Sequence, residues 1–279
     1  MSDLLQEFLD SFELFWTTYV TGLCAAALLA FAGVFALAQR QLFTGVATAQ
    51  ASTLGIALAL ACFGLGDDHH HLHGWPLVFG VGFAVAANLA CSRMALRATV
   101  QEGLSVAIFV AGGCLPILLL AHGPKGLEEV ERLTFSTLIG SDIHDIQKIG
   151  GLLLATIVLL ARQGRALLFA ALEPDTAFAM GIAPAGTALA FPILFGLALG
   201  LCLHTAGSVF CIAALTMPAL FARRVHRTAV AVLWAAPLYA LLATLLGFAL
   251  ANHYDLPIGT TAAATMLGLT ALAHLLPRR

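Results

Sequence analysis

The sequence predicts an all-α protein, a polytopic bundle of helices that cross a lipid bilayer many times. Of its 279 residues, 60% are hydrophobic and only 10% are charged, whereas soluble proteins carry about 25% charged residues. A globule with so few charges cannot cover its surface with water-binding groups. Lipid must therefore be the solvent for much of the chain.

Nine apolar stretches are long enough to span a bilayer, for which about 20 residues are needed and about 17 form the lower end. The stretch 207–222 is short and could instead form a half-helix, so we predict nine spans, with eight as the alternative. No polar linker interrupts the pattern, and residues 1–279 are expected to form a single transmembrane domain. The nine stretches are 16–39, 43–65, 76–98, 103–121, 148–164, 186–204, 207–222, 229–251 and 258–276.

The basic residues predict the orientation of these spans. If the N-terminus lies outside, ten of the 13 Lys and Arg residues fall on inner segments. Because cationic side chains are retained on the cytoplasmic side, we predict an N-out, C-in topology. Residues 1–15 place acids on one helical face and apolar residues on the other, which predicts an interfacial helix leading into the first span.

Histidines are concentrated in a predicted external loop, residues 66–75, which contains His69, His70, His71 and His73. Imidazole is the commonest protein ligand for metals such as zinc, and neighbouring acids supply oxygen ligands. The loop is therefore a candidate for metal capture; the alternative is a solvated loop with incidental histidines. The six cysteines all lie in apolar stretches without a C-x-x-C pair, and we expect them to be small buried residues.

A predicted cytoplasmic segment, residues 165–183, has helix start and stop signals. Pro174 follows Glu173 and precedes Asp175, which is typical of a helix N-terminus, and Gly181 is typical of a helix end. A rigid helix between two spans could be a lever for a soluble partner; the alternative is an ordinary interfacial connector.

Enzyme motifs are missing from the sequence. It has no H-E-x-x-H or G-x-S-x-G pattern, and no G-x-x-x-x-G-K-[ST] loop that would bind ATP. We therefore expect no catalytic activity and no cofactor in this chain. His204, near the outer end of its stretch, is a pathway candidate because polar residues inside spans are costly; the alternative is an interfacial histidine bonded to a neighbouring helix.

Four segments, in order along the chain, resemble a known family. The first segment resembles the end of the family's first helix and the start of its second, and the second segment resembles its cytoplasmic segment. The third resembles the family's glycine-to-proline helix, and the fourth resembles its outer turn. They are GVFALAQR with FTG at 33–45, EPDTAFAMG at 173–181, GSVFCIAALTMPA at 207–219 and YDLPIG at 254–259. In these residues the chain resembles the membrane permease subunits of zinc/manganese-type ABC importers, the ABC-3 family.

The resemblance implies a channel-forming subunit, working as a homodimer in the bacterial inner membrane. Its cargo would be a divalent cation, zinc or manganese, or a complex of it. The partners would be a cytoplasmic ATPase, which binds the ATP, and an extracytoplasmic solute-binding protein; no nucleic-acid partner is expected. The segment that docks onto the ATPase would include Glu173, Pro174, Asp175 and Gly181.

The chain departs from the family in its second span. Where the family has an aspartate and, four residues later, a histidine, this chain has Val46 and Gln50. Valine cannot bind a metal, and an amide is a poor substitute for imidazole. The pathway would therefore use other groups, with Gln50 and His204 as candidates, or the cargo is not a bare ion.

Two other functions stay open: a secondary transporter driven by an ion gradient, and a membrane metal sensor that does not transport.

Overall fold

The computed structural model describes residues 2–63, 74–93, 98–121, 128, 131, 138, 140–181 and 187–275. In this part of the chain the secondary structure is entirely helical, with ten helices. They are α1 (Ser2–Ala38), α2 (Leu42–Phe63), α3 (Trp75–Arg93), α4 (Ala98–Leu120), α5 (Ile143–Leu172), α6 (Pro174–Ala179), α7 (Thr187–Ala206), α8 (Ser208–Val225), α9 (Ala229–His253) and α10 (Ile258–Leu275).

The prediction of a polytopic helical bundle is confirmed, since each predicted apolar stretch coincides with a helix. Eight helices of the described chain are long and apolar enough to cross a membrane: α1 from Phe15 onward, α2 to α5 and α8 to α10. Helix α7 contains a shorter apolar helix, Phe191–Ala206. The stretch 207–222, which the sequence left open as a half-helix, forms the 18-residue helix α8. The protein is thus a multi-pass membrane protein, while its N-out orientation stays a prediction.

Helix α1 is broken at Phe15, whose backbone is non-helical (φ −117°, ψ 26°). The break falls where the predicted interfacial helix, residues 1–15, ends and the first span begins. That the residues before the break lie on a membrane surface stays a prediction.

Helix α5 is longer than the sequence predicts. The predicted span 148–164 ends within it, since one helix of 30 residues runs from Ile143 to Leu172. No proline interrupts it until Pro174, and its start is stabilised by Asp145. The Asp145 carboxylate accepts a hydrogen bond from the Asp142 N–H (3.3 Å) and lies 3.5 Å from the Lys148 ammonium.

The described helices group into two compact units. The first unit comprises residues 1–40, 137–183 and 209–279, and the second comprises residues 41–136 and 184–208. The expectation of a single domain over residues 1–279 stays a prediction.

In the first unit, α1 packs against α5 and α9, and α9 packs against α10. Glycines permit these helices to approach closely. A side chain at Gly33 of α1 would collide with the carbonyl of Leu215 in α8, and a Cβ at Gly247 of α9 would lie 2.5 Å from the Cα of Ala262 in α10. Lipid tails are as apolar as leucine, so close backbone packing is the main attraction between such helices.

Polar side chains also bond to backbone carbonyls of neighbouring helices in the first unit. The Thr270 hydroxyl has one proton, which it shares between the carbonyl of Met266 in its own helix α10 (2.8 Å) and that of Met217 in α8 (3.2 Å). The Arg224 guanidinium donates to the carbonyl of Ala273 (3.2 Å) between the same two helices. Such hydrogen bonds fix the alignment of helices that apolar packing alone leaves free to slide.

In the second unit, α2 packs against α3, α4 and α7, and α3 packs against α7. The α3–α7 contact is built on two glycines four residues apart. A Cβ at Gly196 would lie 2.6 Å from the Cα of Val85, and one at Gly200 would lie 2.7 Å from the Cα of Val81. This is the small-xxx-small pattern of membrane helix pairs.

A hydrogen bond closes the same contact at the next turn. The buried Asn88 amide of α3 donates to the carbonyl of Pro192 in α7 (2.9 Å). The pairing of Val81 with Gly200, Val85 with Gly196 and Asn88 with Pro192 shows that the two helices run antiparallel.

Two of the six cysteines are exposed, although all six were expected to be buried. All six are free thiols: Cys62 and Cys114 are exposed, Cys24 is half-buried, and the other three are buried. Cys114 lies on a face of α4 that also exposes Leu115 and Leu118. The hydropathy of a span does not show which face other helices cover, so the prediction was wrong for these two thiols.

We predict that Gly196→Ala destabilises the folded chain, because the added methyl group meets the backbone of α3. Overpacking of this kind costs about 1–3 kcal/mol, and the unfolding midpoint in detergent should fall. Gly113→Ala on α4 is the matched control, since a Cβ there has no neighbour within 4 Å. Equal midpoints for the two variants would contradict the close α3–α7 contact.

Candidate functional site

The joint between α5 and α6 is formed by Glu173. Its backbone (φ −135°, ψ 70°) leaves the helical region, and its N–H bonds to the carbonyl of Phe169, which completes the last turn of α5. Its own carbonyl accepts the N–H of Ala177 and so opens α6 (3.0 Å). Pro174 takes the first position of α6, where its missing N–H is not needed. One residue thus ends one helix and begins the next.

The end of α6 confirms the stop signal in the sequence. The N–H of Met180 bonds to the carbonyl of Thr176, and the N–H of Gly181 bonds to that of Phe178. Gly181 has φ +67°, a left-handed conformation that glycine adopts without steric cost. The predicted helix start and stop are both present, although α6 is only six residues long.

The segment is anchored on one side and open on the other. Ala177 is fully buried, and Leu168 and Ala171 of the preceding turn are buried as well. In contrast, Phe178 is 78% exposed and Met180 is 63% exposed. The predicted docking residues Glu173, Pro174, Asp175 and Gly181 are exposed too. The segment thus presents acids and large apolar side chains together.

The residues Phe178 and Met180 were not singled out from the sequence, although both lie in the quoted segment. A signal was available: a helix too short to span a bilayer carries two large apolar side chains just before its glycine stop. Exposure requires the structure, because the sequence does not show that Ala177 is the residue that faces inward.

Gln50 lies on α2 of the second unit, where α4 crosses closely. A side chain at Gly112 of α4 would collide with the backbone and Cβ of Gln50. The Gln50 side chain is half-buried, as is that of Val46 one turn earlier. The polar amide therefore stands at a tight helix crossing.

His204 lies on α7 of the same unit, and it is half-buried. Helices α2 and α7 pack against each other, so the two pathway candidates, Gln50 and His204, lie on contacting helices. The roles of both residues stay predictions.

Metal ligands form no cluster in the part of the chain that the structure describes: no group of three or more His, Cys, Asp or Glu side chains is placed to hold an ion. The predicted capture residues His69, His70, His71 and His73 lie outside the described residues, as do residues 182 and 183 of the predicted cytoplasmic segment.

Comparison with solved structures identifies the same fold in other proteins. PsaBC from Streptococcus pneumoniae, solved in complex with a Fab, matches with a TM-score of 0.77 and 16% identity over 96% of this chain and 95% of that chain. An ABC transporter described as of the metal-chelate type, in an inward-facing conformation, matches with a TM-score of 0.76 and 18% identity over 96% of this chain and 88% of that chain. At these identities the likeness shows the fold.

Sequence comparison gives the family. No curated protein matches this sequence, but the family model described as the ABC 3 transport family matches residues 11–276. That match covers all ten helices from the membrane-spanning part of α1 to the end of α10. The chain belongs to the ABC 3 transport family.

Proposed function

We propose that the chain is the channel-forming permease of an ABC importer and that residues 165–181 dock onto its ATPase. The observation that carries the proposal is the exposure of Phe178 on α6 and of Met180, which directly follows this helix. Membership of the family supports the role of an ABC transporter permease, and the geometry of this segment supports the docking role.

The chemistry of α6 favours a protein partner over lipid. Six residues cannot cross a bilayer, and the exposed carboxylates of Glu173 and Asp175 would be costly to bury in hydrocarbon. Covering one large apolar side chain contributes about 1.5–3 kcal/mol, so Phe178 and Met180 together offer a useful anchor. The matching surface would be an apolar pocket with a basic rim.

The joint at Glu173 would transmit movement into the bundle. Because α6 starts on the same residue that ends α5, and Ala177 is buried, a push on α6 would move the end of α5. Helix α5 packs against α1 in the first unit. ATP-driven closure of two ATPases on a homodimer of this chain would then change which side of the membrane reaches the passage.

The inner position of this segment depends only on the helices that precede it. Five long helices, α1 to α5, come before residue 173, so an outer N-terminus would place α6 inside. The proposal is therefore independent of whether α7 crosses the bilayer.

The cargo we propose is a divalent transition metal, zinc or manganese, or a complex of it, delivered by an extracytoplasmic solute-binding protein. The family resemblance supports the metal. Val46 and Gln50, in place of the family's aspartate and histidine, favour a complexed ion, because valine cannot bind a metal and a neutral amide is a poor ligand for a bare cation. The histidine loop would raise the local metal concentration.

We predict that Phe178→Ala combined with Met180→Ala lowers recovery of the co-expressed ATPase with the purified chain by about tenfold or more, since tenfold corresponds to 1.4 kcal/mol. The reversal of charge in Glu173→Lys with Asp175→Lys should weaken recovery as well. The matched control is Leu154→Ala, which removes a side chain of similar exposure (65%) from the middle of α5.

Unchanged recovery of the ATPase with the α6 variants would contradict the docking role. An equal loss with Leu154→Ala would show a general effect of apolar truncation on folding, which also contradicts a specific anchor.

We also predict that replacing His69, His70, His71 and His73 with serine slows metal uptake when metal is scarce and leaves uptake unchanged when it is abundant. Capture matters only when encounter limits the rate. Uptake of radioactive zinc or manganese at two concentrations measures this. Loss of uptake under both conditions would make the loop part of the pathway, and normal uptake under both would exclude capture.

A further inference from the structure

A buried polar cluster lies where α2, α3 and α4 meet in the second unit. It consists of Thr44 near the start of α2, Cys91 near the end of α3, and Gln101 and Ser105 near the start of α4. All four are buried, with exposed fractions between 1% and 8%. Neither the family nor the docking segment explains this cluster.

Ser105 is the centre of the cluster. Its hydroxyl lies 3.2 Å from that of Thr44 and 3.5 Å from the sulfur of Cys91. A serine hydroxyl has one donor and two acceptor positions, so it can serve both neighbours. The three side chains thus link the three helices through neutral polar groups.

Gln101 lies one helical turn before Ser105, on the same face of α4. Its side chain is 92% buried, being 8% exposed, and its amide nitrogen has no hydrogen-bond partner within the described chain. A buried donor without a partner is unfavourable, and hydrocarbon supplies no replacement. The amide therefore requires a ligand that the helices do not provide.

The side chains of the cluster indicate what kind of ligand would fit there. A charged ligand does not fit the cluster, because none of its four side chains is an acid that would balance a cation or a base that would balance an anion. Two charged residues close to the cluster in sequence, Arg93 and Glu102, are exposed. A small neutral molecule that both accepts and donates fits the amide, the hydroxyls and the thiol together.

We propose that the cluster binds water: a molecule that accepts a hydrogen bond from Gln101 and donates one to a hydroxyl of Ser105 or Thr44. Buried waters typically make two to four hydrogen bonds to polar groups that lack other partners. Water also serves either orientation of the amide, since it donates as readily as it accepts. The meeting point of α2, α3 and α4 is then a hydrated site, and Cys91 lies beside water although it is only 1% exposed.

Radiolytic hydroxyl-radical footprinting of the full chain in lipid nanodiscs tests the proposal. X-rays produce radicals from bound water as well as from bulk water, and a thiol beside a bound water is oxidised even when solvent does not reach it. Cys202 is the internal control, because it belongs to the same unit and is 0% exposed. We expect Cys91 to be oxidised several times faster than Cys202.

The variant Gln101→Met keeps the length of the side chain and removes the donor. We expect it to slow oxidation of Cys91 to the rate of Cys202, whereas Thr53→Val, a buried change on α2 outside the cluster, should have no effect. Equal rates for the two cysteines in the unaltered chain would overturn the proposal, and so would an unchanged Cys91 rate in folded Gln101→Met. If the variant does not fold, the ratio of the Cys91 and Cys202 oxidation rates in the unaltered chain tests the proposal by itself. The result is independent of the cargo and of the docking role.

Discussion

Close approach of helix backbones is the constraint on which the rest of this structure depends. Inside a bilayer, burying apolar side chains between helices gives little advantage over leaving them in lipid. The helices must therefore be held by contacts that lipid cannot make. Gly33, Gly196 and Gly200 provide such contacts, and Asn88 and Thr270 add hydrogen bonds to carbonyls of neighbouring helices.

The continuity of one helix matters for the proposed docking segment. A helix without a break moves as a body, and α5 continues without a break to the residue that starts α6. A force on Phe178 would therefore reach the packed part of α5 without being absorbed by a loop. In the proposed docking role, the acids beside it would keep the segment out of lipid, and its apolar anchor would bind a protein.

Much of the fold was predictable from the sequence, because spans are long and apolar and because Pro174 and Gly181 mark their helix clearly. The continuity of α5 was missed, since the change from apolar to basic residues near Arg162 indicates the membrane boundary and not the end of the helix. The exposure of Cys62 and Cys114 was missed for a related reason: hydropathy does not show which face of a span other helices cover.

The candidate site was predictable only in part. The four predicted docking residues follow from helix signals and the family resemblance, but Phe178 requires knowledge of which side of a short helix faces inward. The proposed water site depends on Thr44, Cys91 and Ser105, which lie apart in sequence and come together only through packing. The signal for the α3–α7 contact, Gly196 and Gly200 at a spacing of four, was present in the sequence.

The most direct measurement of the central claim is labelling of a cysteine placed at Phe178, in a chain whose exposed Cys62 and Cys114 are replaced by serine. The account predicts that a membrane-impermeant maleimide reacts in inside-out vesicles, does not react in intact cells, and is blocked when the ATPase is bound. Reaction in intact cells, or equal reaction with and without the ATPase, would contradict it.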